Sequence, residues 1–243
     1  RRFPPDTHLY YFCAVIRGLC KSGADMTSIL EACQYVHQLP GRPAGREICD
    51  CIANNAKADW PESALSMVSW YATQDPDPEG ESWRPGESGE SVYYGGDILT
   101  AGLNSVRGGA ARAIAILLGA GLDRLGFLRA TIERMLEDPS MAVRSWVATV
   151  LLEVLRVDTD LAVEWFLRLC QAEDPLLGTR YVEAFLHYAV RTHFKAVEQL
   201  LHRMIASTDA RARSAGARQV AIAALATKDA QPLVENCLSG GTE

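Results

Sequence analysis

The sequence lacks an apolar run long enough to cross a bilayer. Its longest strongly apolar stretch, residues 113–122, is interrupted by glycines and falls well short of the roughly 20 residues that a spanning helix needs. The first residues, Arg1 to Pro5, contain neither an initiator methionine nor the apolar core of a signal peptide. We therefore expect a fragment of a larger protein, with no membrane partner.

Positive charge is also scarce. The 243 residues carry 24 Lys and Arg against 30 Asp and Glu, which gives a formal net charge of -6, and 48% of the residues are hydrophobic. Nonspecific affinity for nucleic acid comes mostly from clustered Lys and Arg, so this composition argues against a nucleic-acid partner. The hydrophobic fraction is that of an ordinary globular chain with a buried core.

Cysteines are present in an odd number, seven, and most lie at helical spacings inside apolar segments. This distribution favours reduced thiols and a cytoplasmic location. Cys49 and Cys51 form the one close pair, but side chains two residues apart on a helix point to different faces. They would make a poor half of a zinc site, and we expect no metal.

Motifs that carry chemistry are missing as well. The sequence contains no Gly-x-x-x-x-Gly-Lys-Ser/Thr run for phosphates, no His-Glu-x-x-His and no Gly-x-Ser-x-Gly. Pairs of carboxylates such as Glu153 and Asp158 have no neighbouring His or Cys for acid–base chemistry. The sequence therefore predicts no catalytic residues and no cofactor site in this segment, which we expect not to be an enzyme.

A repeat is present in the C-terminal two thirds. Segments that begin at Asp138, Asp174 and Asp209 recur at about 36 residues, a spacing found in helical solenoids, and an earlier copy begins near Asn104. Each Asp is expected to cap a helix, because its carboxylate can accept hydrogen bonds from the free N–H groups of the first turn. The Pro that follows two of them suits that turn.

The residues after these aspartates follow helical periodicity, and a second amphipathic run precedes the next copy. Each copy therefore predicts a helix pair, at about residues 105–137, 139–172, 175–207 and 209–239. A single pair cannot bury both of its apolar faces, whereas stacked pairs can. The predicted fold is all-α, an α-solenoid of HEAT-like antiparallel helix pairs spanning residues 97–243.

The N-terminal helical segment, residues 1–73, shows helical runs near residues 8–21, 26–39, 44–58 and 61–73 but no legible repeat. It is either a set of degenerate pairs or a packing extension from an adjacent domain. Residues 74–96 form a Pro-, Gly- and acid-rich loop that contains Trp83, Tyr93 and Tyr94. These aromatic residues either cover the solenoid's own apolar surface or contact a partner.

Five basic side chains are further candidates for partner binding. His187 and Arg191 lie four residues apart on one predicted helical face, where they could meet an anionic group or simply favour a solvated helix end. Arg107, Arg144 and Arg180 recur with the repeat. They are expected on one face of the stack, where they either bond neighbouring caps or line a groove for an acidic partner.

Several stretches resemble the HEAT-like C-terminal region of large bacterial STAND-type NTPases. They are residues 104–111, 138–144, 200–207 and 215–218, and the resemblance covers about residues 97–227. It implies a parent protein with an N-terminal effector and an ATPase core that uses ATP and Mg. It also implies that the helical region detects a phage protein in antiviral defence and triggers oligomerisation. No ligand-binding residue can be carried over from the family.

Three functions follow as hypotheses. The first is a non-catalytic sensor or scaffold segment of a STAND-type NTPase, whose partners are other domains of the parent chain or a phage protein and whose oligomerisation runs through the parent. The alternative is a purely structural helical spacer in an unrelated large intracellular protein. The third is an enzyme with an all-helical site of an unrecognised kind.

Overall fold

A computed structural model describes residues 9–80 and 97–239, and in these ranges all regular structure is helical and no strand occurs. The predicted all-α class is confirmed. Single 3-10 turns, Leu122–Arg124 and Lys228–Ala230, precede α7 and α14. The helices are α1 (Leu9–Lys21), α2 (Met26–His37), α3 (Gly45–Asn54), α4 (Glu62–Thr73), α5 (Ile98–Asn104), α6 (Val106–Ala120), α7 (Leu125–Met135), α8 (Met141–Val154), α9 (Thr159–Leu169), α10 (Asp174–Leu177), α11 (Arg180–Thr192), α12 (Phe194–Ile205), α13 (Ala210–Ala226) and α14 (Gln231–Ser239).

The four predicted pairs each contain two long helices: α6 with α7, α8 with α9, α11 with α12, and α13 with α14. The four N-terminal runs correspond to α1 to α4. Two short helices, α5 and α10, were not predicted, because a helix of one or two turns is too short to display the 3.6-residue period.

Caps explain where the long helices begin, and they correct two predictions. Asp209 caps α13 as predicted, by accepting a hydrogen bond from the Ala212 N–H at 2.8 Å. Asp138, by contrast, is not a cap: α8 begins at Met141 and its N-cap is Ser140. Asp174 is the first residue of the four-residue α10 and not an N-cap.

These two carboxylates are engaged elsewhere; Ser140 caps α8, whereas the N-caps of α10 and α11 make no side-chain capping hydrogen bond. Asp138 binds Arg107 and accepts the Ser140 N–H at 2.9 Å. Asp174 binds Arg203 at 2.7 Å and accepts a hydrogen bond from the Ser207 hydroxyl at 2.6 Å. Asp138 therefore ties the α6–α7 pair to the α8–α9 pair, and Asp174 ties the start of the α11–α12 pair to the end of α12.

Packing between the helices follows the order of the chain. The first helices contact one another in sequence, α1 with α3, α3 with α6, α6 with α8, α8 with α11, and α11 with α13. Among the second helices, α2 contacts α4, α4 contacts α7, and α9 contacts α12. One continuous apolar core runs between them, and within it the rings of Phe166 and Phe185 stack at 4.0 Å.

A close approach in the core places α5 against α8. A Cβ atom on Gly102 would lie 2.6 Å from Cδ1 of Trp146 and would also collide with the carbonyl of Ala142 on α8. The Trp146 indole N–H donates to the Leu99 carbonyl at 2.7 Å. Because Gly102 carries no side chain, α5 can lie directly against α8.

The expectation of reduced thiols is wrong for one pair of cysteines. Cys20 on α1 and Cys51 on α3 form a disulfide, with Cα atoms 5.6 Å apart, inside the usual range. Helical spacing shows that a cysteine faces the core but does not show which helix packs against it. Among the described residues Cys13, Cys33, Cys49 and Cys170 are free.

In the described ranges, no helix is a candidate for spanning a membrane. None of the helices there combines the length and the apolar character that crossing a bilayer requires.

Candidate recognition surface

The predicted loop residues Trp83, Tyr93 and Tyr94 lie outside the described residues. The five predicted basic residues are described, and they fall into three environments. One is buried in an ion pair, one is half-buried, and three share an exposed helical face.

Arg107 is a buried structural residue. Its guanidinium binds the Asp138 carboxylate through two hydrogen bonds, Nε to Oδ2 at 2.8 Å and Nη2 to Oδ1 at 3.2 Å. A third donor, Nη1, reaches the Asp75 carbonyl at 2.9 Å. Both charged side chains are almost completely excluded from water. Arg107 therefore connects α6 to the start of α8 and is not available to a partner.

Arg144 and Arg180 do not repeat the position of Arg107. Relative to the N-caps Ser105, Ser140 and Thr179, the three arginines are the second, fourth and first helical residues, so they point in different directions. Arg144 is half-buried, and its Nε is buried without a hydrogen-bond partner among the described residues. Arg180 is exposed and lies over the Tyr181 ring, 4.6 Å from its centroid.

Three of the predicted residues share one exposed face. Arg180, Ala184, His187 and Arg191 are spaced four, three and four residues apart on α11, and all are exposed. This spacing aligns side chains along one side of a helix, and the opposite side of α11 is buried against α8 and α13. His187 and Arg191 lie on this common exposed face of α11.

The neighbouring helix α13 extends this surface with further arginines. Arg211, which is exposed, lies against Gly178 at the start of α11. Arg218 holds Glu183 of α11 through two hydrogen bonds, at 2.6 and 2.9 Å, and it lowers the pKa of that carboxyl. We call Arg180, Arg191, Arg211 and Arg218 the arginine face. Sequence reasoning missed its α13 members, although the position of α13 one repeat after α11 was the signal that places them together.

Other surfaces offer less chemistry. A cleft of about 490 Å³ lies between the ends of α3 and α6, and its lining residues are small or amide side chains apart from Ile116 and Lys57. Within the described part of the chain, no three His, Cys, Asp or Glu residues group closely enough to hold a metal ion. The arginine face is therefore the best supported candidate for a binding surface.

Comparison with protein-family models, with curated proteins and with solved structures finds no match to this chain. What defines its class is the fold itself, an all-helical protein.

Proposed function

We propose that this chain is a HEAT-like α-solenoid that recognises an acidic surface of another protein through its arginine face. It would act as the sensor or scaffold segment of a larger bacterial STAND-type NTPase in antiviral defence. The observation that carries the proposal is that the first helices of successive pairs pack against one another, with ion pairs between neighbouring pairs at several points along the chain.

These bonds form a regular series. Five arginine–carboxylate pairs join residues 29 to 35 positions apart, close to one repeat, and Arg112 with Asp50, 62 positions apart, joins α6 to α3. Such links fit a solenoid, in which each repeat contacts only its neighbours and stability is passed along one dimension. The series comprises Arg17 with Glu47, Arg107 with Asp138, Glu137 with Arg168, Asp174 with Arg203, and Glu183 with Arg218.

Recognition of an acidic partner is supported by local charge. The whole chain is acidic, yet the arginine face sets four exposed arginines against Glu183, the one carboxylate within α11 and α13. Arginine is enriched at protein interfaces, where its planar guanidinium can bind carboxylates with two hydrogen bonds. Complementary charge of this kind selects partners and accelerates association.

The parent and the partner rest on the resemblance of residues 97–227 to the family. In that setting the partner is a phage protein or another domain of the parent chain, and ATP and Mg belong to the ATPase core. A structural spacer would have the same stack of pairs but would place no requirement on the charge of the arginine face. Charge reversal on this face therefore separates the two functions.

The experiment compares three forms of the full-length parent, expressed in its host and captured under identical conditions. They are the natural sequence, the double variant Arg180→Glu with Arg191→Glu, and the control Arg134→Glu. Arg134 is exposed on α7, among the second helices, so its reversal changes the net charge without touching the arginine face. Thermal unfolding of each variant checks that the fold is intact.

We expect a protein that is retained by the natural sequence and by Arg134→Glu but lost from the double variant. Its retention should decrease as the salt concentration rises, because salt screens exposed charges. Normal activation and unchanged partners in the folded double variant would contradict recognition through this face and favour the spacer.

A further inference from the structure

The loop between α2 and α3 has an unusual backbone. Three of its residues have positive φ: Gly41 at 75°, Arg42 at 44° and Ala44 at 63°. Left-handed conformations are costly for residues that carry a Cβ, and they persist where surrounding contacts hold them. One such contact is visible: the Arg42 guanidinium lies over the Trp70 ring of α4, 3.7 Å from its centroid.

This loop leads into a helix start without a side-chain cap. The N-cap of α3 is Ala44, whose side chain accepts no hydrogen bond from the first turn. The Tyr71 ring lies on the first residue, Gly45, so closely that a Cβ there would be 2.6 Å from Cδ1 and Cε1 of the ring. The positive end of the α3 dipole and the N–H groups of Gly45 and Arg46 thus lie beside Tyr71, while the Glu47 carboxylate in the same turn accepts its own N–H.

Three buried polar atoms around this helix start have no hydrogen-bond partner among the described residues. They are Nδ1 of His37, Nη1 of Arg42 and the hydroxyl of Tyr71. Tyr71 is fully buried, and its ring contacts the His37 ring edge-on at 5.1 Å. Each buried polar group without a partner costs about 1 to 3 kcal/mol. Three such groups close together therefore indicate a ligand-binding site.

The cluster can be reached from solvent at its edge. His37, Arg42 and Trp70 are partly exposed there, whereas Tyr71 is completely buried beneath them. One carboxylate, Asp75, acts on Arg42 and Tyr71 electrostatically, but its Oδ1 accepts the Asp77 N–H at 2.9 Å. Burial raises the pKa of the Asp75 carboxyl.

We propose that His37, Arg42 and Tyr71, together with the N-terminus of α3, bind an oxyanion, a carboxylate or phosphate group. The Arg42 guanidinium and the Tyr71 hydroxyl supply donors, and the free N–H groups of the first turn of α3 complete the set. His37 Nδ1 adds a third side-chain donor in the appropriate tautomer. The Trp70 ring holds the guanidinium in place by a cation–π contact.

An anion fits this site better than a cation or a water molecule. Arginine is always charged and only donates, and a helix N-terminus repels cations. Water could satisfy one or two of the orphaned atoms but would add no negative charge opposite the arginine and the helix dipole. The site is separate from the arginine face, so its test does not depend on the proposed function.

The test is a titration of the purified chain with inorganic phosphate and, in a second arm, with acetate, followed through the amide NMR signals of Gly45 and Arg46. We expect a saturable shift with one of the two anions, and the anion that binds identifies the ligand chemistry. Arg42→Gln should weaken the affinity at least about tenfold, as expected for a charged hydrogen bond. Tyr71→Phe should weaken it about fivefold, because it removes a neutral one.

Two matched controls keep the test specific. Tyr35→Phe removes an exposed phenol on α2, and Arg134→Gln removes an exposed charge on α7; neither should change the affinity. Tyr71→Phe retains the ring that packs on Gly45, so this variant should fold and, without anion, be no less stable than the natural chain. Saturable shifts with neither anion would mean that water alone occupies the site, and equal affinity in all variants would mean adventitious binding. Either result overturns the proposal.

Discussion

Residues 9–80 and residues 97–239 differ in how many of their buried polar groups have hydrogen-bond partners. In residues 97–239 caps and cross-pair arginines engage most buried polar atoms; the exceptions among the described side chains are Arg144 and Gln219. Residues 9–80 hold the disulfide, two non-glycine residues with positive φ, and four of the six buried polar atoms without partners. The regular helix pairs thus leave few buried polar atoms without partners, whereas the N-terminal region concentrates such atoms around the proposed anion site.

The largest expected effect tests the regular region. Asp138→Ala should lower the free energy of unfolding by about 3 to 5 kcal/mol, because it leaves the Arg107 charge buried without its partner. Urea denaturation measures this loss. Glu137→Ala breaks the adjacent exposed pair with Arg168 and should cost about 1 kcal/mol or less. Similar losses for both variants would show that the buried pair has no special role.

The irregular region should depend on its disulfide. Replacing Cys20 and Cys51 with Ser should lower stability by about 2 to 4 kcal/mol, since the crosslink restricts the unfolded chain. Hydrogen exchange should increase in α1 and α3 and remain unchanged in α11 to α13, because in the proposed solenoid each pair contacts only its neighbours. Uniform acceleration across both regions would contradict the one-dimensional arrangement.

Two glycines in residues 97–239 differ in the space around them and should respond to substitution in opposite ways. Gly102→Ala should lower the free energy of unfolding by about 1 to 3 kcal/mol, because the new methyl group would collide with α8. Gly126→Ala on α7, where nothing lies within 4 Å of the added Cβ, should raise stability by up to about 1 kcal/mol. Thermal unfolding of the two variants side by side checks the opposite signs.

Capping by Asp209 should have a moderate effect. Asp209→Ala should lower the free energy of unfolding by about 1 kcal/mol, because the Ala212 N–H loses its acceptor at the start of α13. Asp209→Asn retains an oxygen acceptor and should recover most of that loss in urea denaturation. If the two variants were equally stable, the cap would not contribute to the start of this helix.

The smallest effect concerns pH. The Ser207 hydroxyl and Arg203 lower the pKa of Asp174 below its ordinary 3.8, so its contribution to stability is present above that pH and is lost as the pH falls through the folded-state pKa. Asp174→Asn should therefore destabilise the protein at neutral pH and flatten the acid end of its stability profile. Parallel profiles for the variant and the natural chain would contradict this linkage.

The sequence predicted those features that repeat with a short period. Helix pairs after residue 105 were legible because apolar residues recur every three or four positions, and the pairs recur about every 36 residues. The roles of Asp138 and Asp174 were wrong, because capping is a local inference, whereas their arginine partners lie 31 and 29 residues away. Periodicity identifies the buried face of a helix but not the residue opposite it.

The sequence alone indicated only part of the two candidate sites. His187 and Arg191 were found because they share one helix, whereas Arg211 and Arg218 join them only through packing of α13 on α11. The cluster of His37, Arg42 and Tyr71 draws on α2, on a loop and on α4, and its members have no common spacing. The local signal in the sequence is the run of residues 40–43, Pro-Gly-Arg-Pro, which indicates a break between helices and nothing more.

The stacking of pairs is the central claim, and small-angle X-ray scattering of the purified chain tests it most directly. A compact chain of this length should have a radius of gyration of about 18 Å. We predict a clearly larger value and an elongated distance distribution, because pairs added side by side, about 10 Å apart, extend the molecule in one direction. A radius of gyration near the compact value with a symmetric distribution would contradict the solenoid.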